Sequence, residues 1–240
     1  MKAIILAAGR GSRMKNLTEE RPKCLVELHG KPLLERQLAA LRGAGIEQIA
    51  IVTGYKRELL SNRGIVEFHN PRWAETNMVA SLACAQEWLR GGPCVVSYSD
   101  IFYEASAPRL LMETDAELAI TYDPNWRALW ESRFEDPLSD AETFKMNDRR
   151  VLLEIGQKPT RIEDIQGQYM GLLRFTPAGW SKVETLRATL DDRLRDKLDM
   201  TGMLQRLIAG HGAQILALPY SERWGEVDSA EDLAVYEKSN

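Results

Sequence analysis

The chemistry-bearing residues of this chain gather where a strand-like run stops. The apolar stretch Ala3 to Ala8 ends abruptly in Gly9-Arg10-Gly11-Ser12-Arg13. Glycines let a backbone come close to an anion and turn its N–H groups toward it. Arg13 and Lys23 then supply charge that amides alone lack. The combination suits the phosphates of a nucleotide, although a plain glycine turn after a first strand would share Gly9-x-Gly11. It is not a Walker loop, since no Gly-Lys-Ser/Thr follows. Nor is it the dinucleotide fingerprint, since Met14 stands where a third small residue belongs. His29, His69 and His211 are scattered, and Cys24, Cys84 and Cys94 lack ligand spacing. Neither a His-metal site nor a Ser-His-Asp triad is indicated, so the chemistry must run on carboxylates, lysines, arginines and a metal.

Two carboxylates have suggestive settings. Asp100 follows the buried run Cys94 to Tyr98 through Ser99, and an acid at the carboxyl end of a central strand points into the crevice where open α/β sheets bind ligands. Its plainer role would be to cap a helix over Pro108 to Met112. Asp228 has capping-box spacing with Glu231 at the start of a last helix, Ala230 to Tyr236.

The elements that must position these groups read as alternating strands and helices. Lys31-Pro32-Leu33 opens a helix with one apolar stripe, Leu34, Leu38 and Leu41, closing at Gly43 or Gly45. Ile46 to Gly54 is a buried strand that turns at Tyr55. Strand, helix and strand in this order make a βαβ unit, hence a parallel sheet with right-handed crossovers. The Gly9 loop and Gly54-Tyr55 then share the carboxyl edge. Gly64 to His69 is a short strand. Thr76 or Asn77 is an adequate N-cap for a helix carrying Met78, Leu82, Ala85 and Leu89. From Asp123 to Gly171 the composition changes, and Trp126, Trp130, Arg127, Arg133, Asp136, Asp140 and Glu142 crowd together. The two tryptophans with flanking carboxylates could cage a cationic head group, but a spacing of four favours simple packing on one helix face. Thr143 to Ile155 alternates around Asn147-Asp148 as a β-hairpin does. Lys158 precedes Pro159 in a turn where a lysine is ordinarily only solvated. The strand Gly167 to Phe175 contains Gly171, placed where a backbone must approach closely. Helices over Pro177 to Leu190 and about Thr201 to Ala209 flank a charged, exposed segment, Asp191 to Asp199, and Ala213 to Leu218 is a further strand.

Composition narrows the function classes. At 240 residues and 44% hydrophobic, the chain can bury one good core with a lobe inserted on one side. A net charge of −4 with both signs interspersed argues against a nucleic-acid partner, which usually meets a basic stripe. No apolar run approaches the roughly 18 residues that span a membrane. The first apolar run is too short for a secretory signal and has Arg10, Arg13 and Lys15 behind it. Three cysteines without pairing arithmetic read as reduced thiols, so a cytoplasmic location is expected.

LAAGRGSRM, then Thr18, then RPKCLVELHGKPLLERQLAAL together resemble the signature of the nucleotidyltransferases that make sugar nucleotides and related activated head groups. The matching residues are Leu6 to Gly9, Gly11, Arg13, Thr18, Pro22, Lys23, Gly30, Lys31 and Pro32. The segments DPLSDAETFKM, EIGQKP, GQYMGLLRF, DMTGMLQRLI and WGEVDSAEDL resemble the cytidylyltransferase branch, which activates phosphocholine, aminoethylphosphonate or phosphoglutamine. The likeness is sharp at Met1 to Pro32, Ser97 to Asp100, Asp136 to Gly171 and Trp224 to Leu233.

The resemblance implies an α/β fold, a Rossmann-like, mixed and mostly parallel sheet flanked by helices. A single domain spans residues 1–240, with a small β-rich substrate lobe inserted at about 123–171. It implies nucleotide binding by Leu6, Ala7, Ala8, Gly9, Gly11, Ser12, Arg13, Lys23, Gly54, Tyr55, Asn77, Ser81 and Ser99. Magnesium would be held by Asp100 and by Asp228 in its Glu-x-Asp-Ser context. The acceptor would meet Lys158, Gly171, Glu226, Arg133 and Asp140, with Arg13, Lys23 and Lys158 acting in the reaction. Gln157 departs from the acid or lysine that relatives often carry. The expected reaction joins CMP from CTP to a small phosphorylated or phosphonate acceptor and releases pyrophosphate. A sugar-1-phosphate nucleotidyltransferase using UTP or dTTP is the alternative within the class, and an idle nucleotide-binding regulator is the alternative outside it. Homodimers are common among such proteins, and no stretch of this chain marks an interface.

Overall fold

Strand segments such as Ala3-Ile4-Ile5-Leu6 and Cys94-Val95-Val96 are apolar at successive positions, as strands covered by helices on both faces must be. A computed structural model describes residues 1–61 and 63–238. β1 (Lys2–Ala7) leads through the glycine loop and a 3₁₀ segment (Ser12–Thr18) to the short hairpin of β2 (Glu27–Leu28) and β3 (Lys31–Pro32). Then come α1 (Leu33–Gly43), β4 (Gln48–Thr53), β5 (Val66–His69), α2 (Met78–Ala83), α3 (Gln86–Gly91) and β6 (Cys94–Tyr98). β7 (Ile101–Tyr103), α4 (Ser106–Met112), β8 (Leu118–Asp123) and α5 (Trp126–Arg133) precede a hairpin of β9 (Phe144–Met146) and β10 (Leu152–Ile155). β11 (Gln168–Phe175), α6 (Pro177–Thr189), α7 (Asp192–Lys197), α8 (Met200–His211), β12 (Ile215–Pro219), β13 (Trp224–Glu226) and α9 (Ala230–Lys238) complete the order.

Seven strands form the central sheet in the order β12-β8-β11-β6-β1-β4-β5. All pair in parallel except β11, which runs antiparallel to both neighbours. The reversal is functional geometry: the start of β11 lies on the same rim as the ends of β1, β6 and β8. Alternate residues of β1 face opposite ways, so Ile4 and Leu6 join one apolar core and Ile5 and Ala7 the other. The first core packs α2, α3, α6 and α8 on the sheet, and the second packs α1, α4 and α5. A third small cluster, including Met14, Leu28, Phe102, Val227 and Tyr236, ties the 3₁₀ segment after the glycine loop to α9.

Several expectations need correction. Lys31 and Pro32 belong to β3 rather than to α1, because His29 (φ 50°) and Gly30 (φ 68°) make the paired left-handed turn of a two-residue hairpin. The helix read across Met78 to Leu89 divides, since Cys84 and Ala85 donate to the carbonyls three residues back and the chain restarts at Gln86. The charged segment Asp191 to Asp199 is mostly exposed, as expected, and it contains α7, with Asp191 and Asp199 capping α7 and α8. The final helix is capped by Ser229 and Asp232, not by Asp228 and Glu231: Asp232 N–H donates to Ser229 Oγ at 3.0 Å, and Ser229 N–H returns to Asp232 Oδ2 at 2.9 Å. The segment 123–171 holds α5, the β9–β10 hairpin and the first residues of β11.

Candidate active site

The loop after β1 keeps its shape through Gly11, which sits at φ +67°, a conformation costly for residues with a Cβ. An added Cβ there would come within 3.0–3.3 Å of the Lys23 stem, so the loop and Lys23 are packed as one unit. Thr18 Oγ1 donates to Gly11 O at 2.9 Å and closes the 3₁₀ segment. Asp100 is presented by the turn between β6 and β7. Buried Gln37 of α1 clamps that turn by donating to the carbonyls of Tyr98 and Ile101, each at 2.6 Å. β13 pairs antiparallel with β7, and Val227 N–H donates to Asp100 O at 2.9 Å. This ribbon carries Glu226 and Asp228 to Asp100 from far along the chain.

Lys23 Nζ donates to Asp100 Oδ2 at 2.7 Å and to Asp228 Oδ1, and Arg13 reaches Asp228 Oδ2 at 2.8 Å. Oxygens of Asp100, Glu226 and Asp228 all lie within 4.8 Å of one another, a spacing that could hold a divalent cation. Among the described residues, buried Asp100 Oδ1 has no hydrogen-bond partner, which leaves an oriented oxygen lone pair in the cluster. Burial alone would lower the Lys23 pKa, but Asp100, Asp228 and Glu226 outweigh it and the net direction is upward. Burial, then repulsion from Asp228 and Asp100, pushes Glu226 up to about 8 against the pull of Lys23 and Arg133.

These groups face a cavity of about 480 Å³. Leu6, Gly9, Gly11, Ser12, Arg13, Lys23, Ser99, Asp100 and Asp228 are among the residues that line it. Asp140, Glu142, Gly171, Asp199, Thr201 and Glu226 line it as well, with the rings of Tyr98, Trp130, Phe144 and Tyr169. Gly171 (φ +78°) marks a register shift in β11, and a Cβ there would meet the Tyr98 ring at 2.7 Å. The glycine is therefore required by the cavity wall itself. Burial raises the pKa of Glu142, and Asp199 and Asp140 raise it further, against a hydrogen bond from Thr201.

Not every residue singled out from sequence reaches the cavity. Ala7 and Ala8 are buried behind the loop. Gly54 and Tyr55 brace it from outside, with Tyr55 N–H donating to Ala8 O at 2.9 Å. An added Cβ at Gly54 would lie 2.5 Å from that same oxygen. Asn77 Oδ1 accepts from Met78 N–H at 2.8 Å as an N-cap, and buried Ser81 accepts from Asn70 Nδ2 at 3.0 Å. Lys158 is exposed and donates to the carbonyls of Leu138 and, at 2.7 Å, Ser139, so it ties down the turn before Asp140 instead of entering the cavity. Arg133 lies behind the site with a fully buried side chain, forked on Asp232 at 2.8 and 3.2 Å, and 3.9 Å from Glu226. Trp126 and Trp130 pack as a helix face, their ring centroids 6.1 Å apart, while Trp130 also reaches the cavity. Glu142, Tyr169 and Asp199 were not legible as site residues: one lay in a crowded acidic stretch, one in an ordinary strand and one in a charged segment.

The glycine loop at the end of β1 and two carboxylates from separate parts of the chain thus meet at one rim of a mixed sheet. The chain belongs to the MobA-like NTP transferase domain family, whose model matches residues 3–158, and to the cytidylyltransferase branch of the nucleotidyltransferases. It is 37% identical to the CTP:phosphoglutamine cytidylyltransferase of Campylobacter jejuni over 98% of both chains. It is also 41% identical to the choline-phosphate cytidylyltransferase of Haemophilus influenzae over 42% of this chain and 44% of that one. The solved structure of the inositol-1-phosphate CTP transferase from T. maritima superposes with a TM-score of 0.76, at 18% identity, covering 99% of this chain and 95% of that one. At that identity the likeness speaks for the fold. Among the described residues, no helix is long and apolar enough to cross a membrane.

Proposed function

We propose that the protein transfers CMP from CTP to a small phosphorylated or phosphonate acceptor that carries an amino group, with magnesium bound at Asp100 and Asp228. The observation that carries this reading is the shared cavity. Arg13 and Lys23 meet Asp100 and Asp228 there, and Asp140, Glu142 and Asp199 stand among aromatic rings in the same space. Full-length likeness to a phosphoglutamine cytidylyltransferase supports the nucleotide and the acceptor class.

In the reaction an acceptor phosphate oxygen forms a bond to the α-phosphorus of CTP. The bond from that phosphorus to the bridging oxygen breaks, and pyrophosphate leaves with the electron pair. The attacking oxygen is already ionised, so no general base is required. Catalysis then rests on alignment and charge stabilisation. The glycine loop turns its N–H groups toward the phosphates, and Arg13 and Lys23 hold the β- and γ-phosphates and the departing charge. Magnesium suits the hard carboxylate oxygens of Asp100 and Asp228 and would neutralise phosphate charge when bound. The cluster fits it because, among the described residues, Asp100 Oδ1 stands without a partner beside three converging carboxylates. Glu142 and Asp199 attract the acceptor's ammonium, and the rings exclude water around it.

The test is pyrophosphate release with CTP, UTP, dTTP or GTP, with and without Mg²⁺. The acceptors are phosphoglutamine, phosphocholine, aminoethylphosphonate and glucose-1-phosphate. Turnover with CTP, Mg²⁺ and an amine-bearing acceptor is expected. Turnover with glucose-1-phosphate alone would replace the acceptor assignment, and turnover without a divalent cation would remove magnesium.

A further inference from the structure

The position a cation would take between Asp100 and Asp228 is held in this structure by a side chain of the protein itself. Lys23 Nζ contacts one oxygen of each carboxylate, at 2.7 Å for Asp100, and Arg13 takes the other oxygen of Asp228 at 2.8 Å. Glu226 stands in the same cluster, with carboxylate oxygens within 4.8 Å of one another. Three such groups converging in a poorly solvated place repel unless a positive charge lies between them. The Lys23 stem is packed against Gly11 from Cβ to Cδ, so a change of partner for the ammonium turns only on the last side-chain bonds beyond Cδ. One direction lies toward the carboxylates, and another lies along the cavity that Arg13 and the glycine loop also line.

We propose that Lys23 is a built-in counter-ion that competes with the divalent cation for Asp100 and Asp228 and is drawn off them by nucleotide phosphates. The idea rests on the reading of these carboxylates as a metal site. Lys23 then has two alternative partners, carboxylates in the free protein and phosphates in the loaded one. The free protein binds divalent cations weakly, because each ion must displace an ammonium already in place. Nucleotide and metal therefore favour one another's binding, since whichever arrives first releases Lys23 toward the arrangement the other needs. The arrangement also keeps the carboxylate cluster assembled before any ligand enters.

The experiment is Mn²⁺ binding to the full-length, nucleotide-free protein, followed by electron paramagnetic resonance. Wild type is compared with Lys23→Met and Lys23→Gln. The glutamine variant keeps a neutral hydrogen-bond donor and serves where methionine disturbs folding, which circular dichroism checks. Both variants are expected to bind Mn²⁺ about tenfold or more tightly than wild type, and adding Asp100→Asn to either should abolish the gain. Mn²⁺ binding by folded variants that merely equals or falls below wild type overturns the competition and leaves the metal site standing. Absence of Mn²⁺ binding in wild type and both variants overturns the proposal together with the assignment of magnesium to these carboxylates.

Discussion

Asp100 divides its two oxygens between different tasks. Oδ2 accepts from Lys23 at 2.7 Å, while Oδ1 is buried without a partner among the described residues. An acid that only capped a helix would spend its oxygens on backbone N–H groups, and this one does not. Asp100→Asn keeps the shape and removes the charge. It should lower kcat by roughly 10²–10³, the scale seen when one electrostatic stabiliser is lost, with the melting temperature nearly unchanged. Pyrophosphate release by the folded variant reads this directly, and near-normal turnover would take Asp100 out of the reaction. At this scale the glycine loop and its place at a strand end were legible because their grammar is local: glycines and basic residues follow a strand within one short stretch. Lys158 was not, because one lysine before a proline says nothing about which way its ammonium points. It points at the Leu138 and Ser139 carbonyls.

Elements decide which plausible residues become neighbours. Asn77 begins α2 by accepting from Met78 N–H and reaches α7 through the Lys197 carbonyl at 3.3 Å. Asn77→Ala should cost about 1 kcal/mol of stability, as lost N-caps do, and leave the KM for nucleotide unchanged. Urea unfolding with kinetics on one preparation separates the two effects, and a raised KM at unchanged stability would return Asn77 to the nucleotide. The α9 junction is less forgiving. Burial pushes the Asp232 carboxyl up, but Arg133, the Asp228 N–H and Ser229 outweigh it, so its pKa is lowered. Asp232→Asn leaves the buried Arg133 guanidinium uncompensated and should cost about 3 kcal/mol. A group whose pKa is lowered on folding stabilises fully above its unfolded value of about 4 and loses that contribution as pH falls through the folded value. The gap between wild type and variant in urea melts should therefore be constant near neutrality and close in acid; a gap that widened in acid would contradict the pairing. The strands and most helices were readable from periodicity and apolar runs. The pairing of β7 with β13 was not, because three-residue strands more than a hundred residues apart leave no periodic trace. Yet that pairing sets Asp228 against Asp100.

For the molecule as a whole, the antiparallel β11 adds its own first residues to the rim of an otherwise parallel sheet. Its reversed direction brings Gln168 to Gly171 to the rim where β1 and β6 end, so one space is shared by the phosphate loop and the segment that follows β8. Arg13 and Lys23 supply cationic groups to that space, and Asp140, Glu142 and Asp199 supply anionic ones beside Tyr98, Trp130 and Tyr169. On the proposed reading, the acceptor's anion would meet Arg13 and Lys23, and its ammonium would meet Glu142 and Asp199. Glu142 is the informative residue, because burial and then its neighbours Asp199 and Asp140 raise its pKa, and an arriving ammonium would relieve that repulsion. Glu142→Gln should raise the KM for an amine-bearing acceptor about tenfold, the loss of one charge-assisted hydrogen bond, and leave the KM for CTP unchanged. Asp199→Asn should act in the same direction while an asparagine still caps α8. Deleting the amine from the acceptor should cost wild type at least as much as the Glu142→Gln substitution does, and should cost the Glu142 variant less. A Glu142 variant that discriminated between the two acceptors as strongly as wild type would show that the ammonium is bound elsewhere in the cavity.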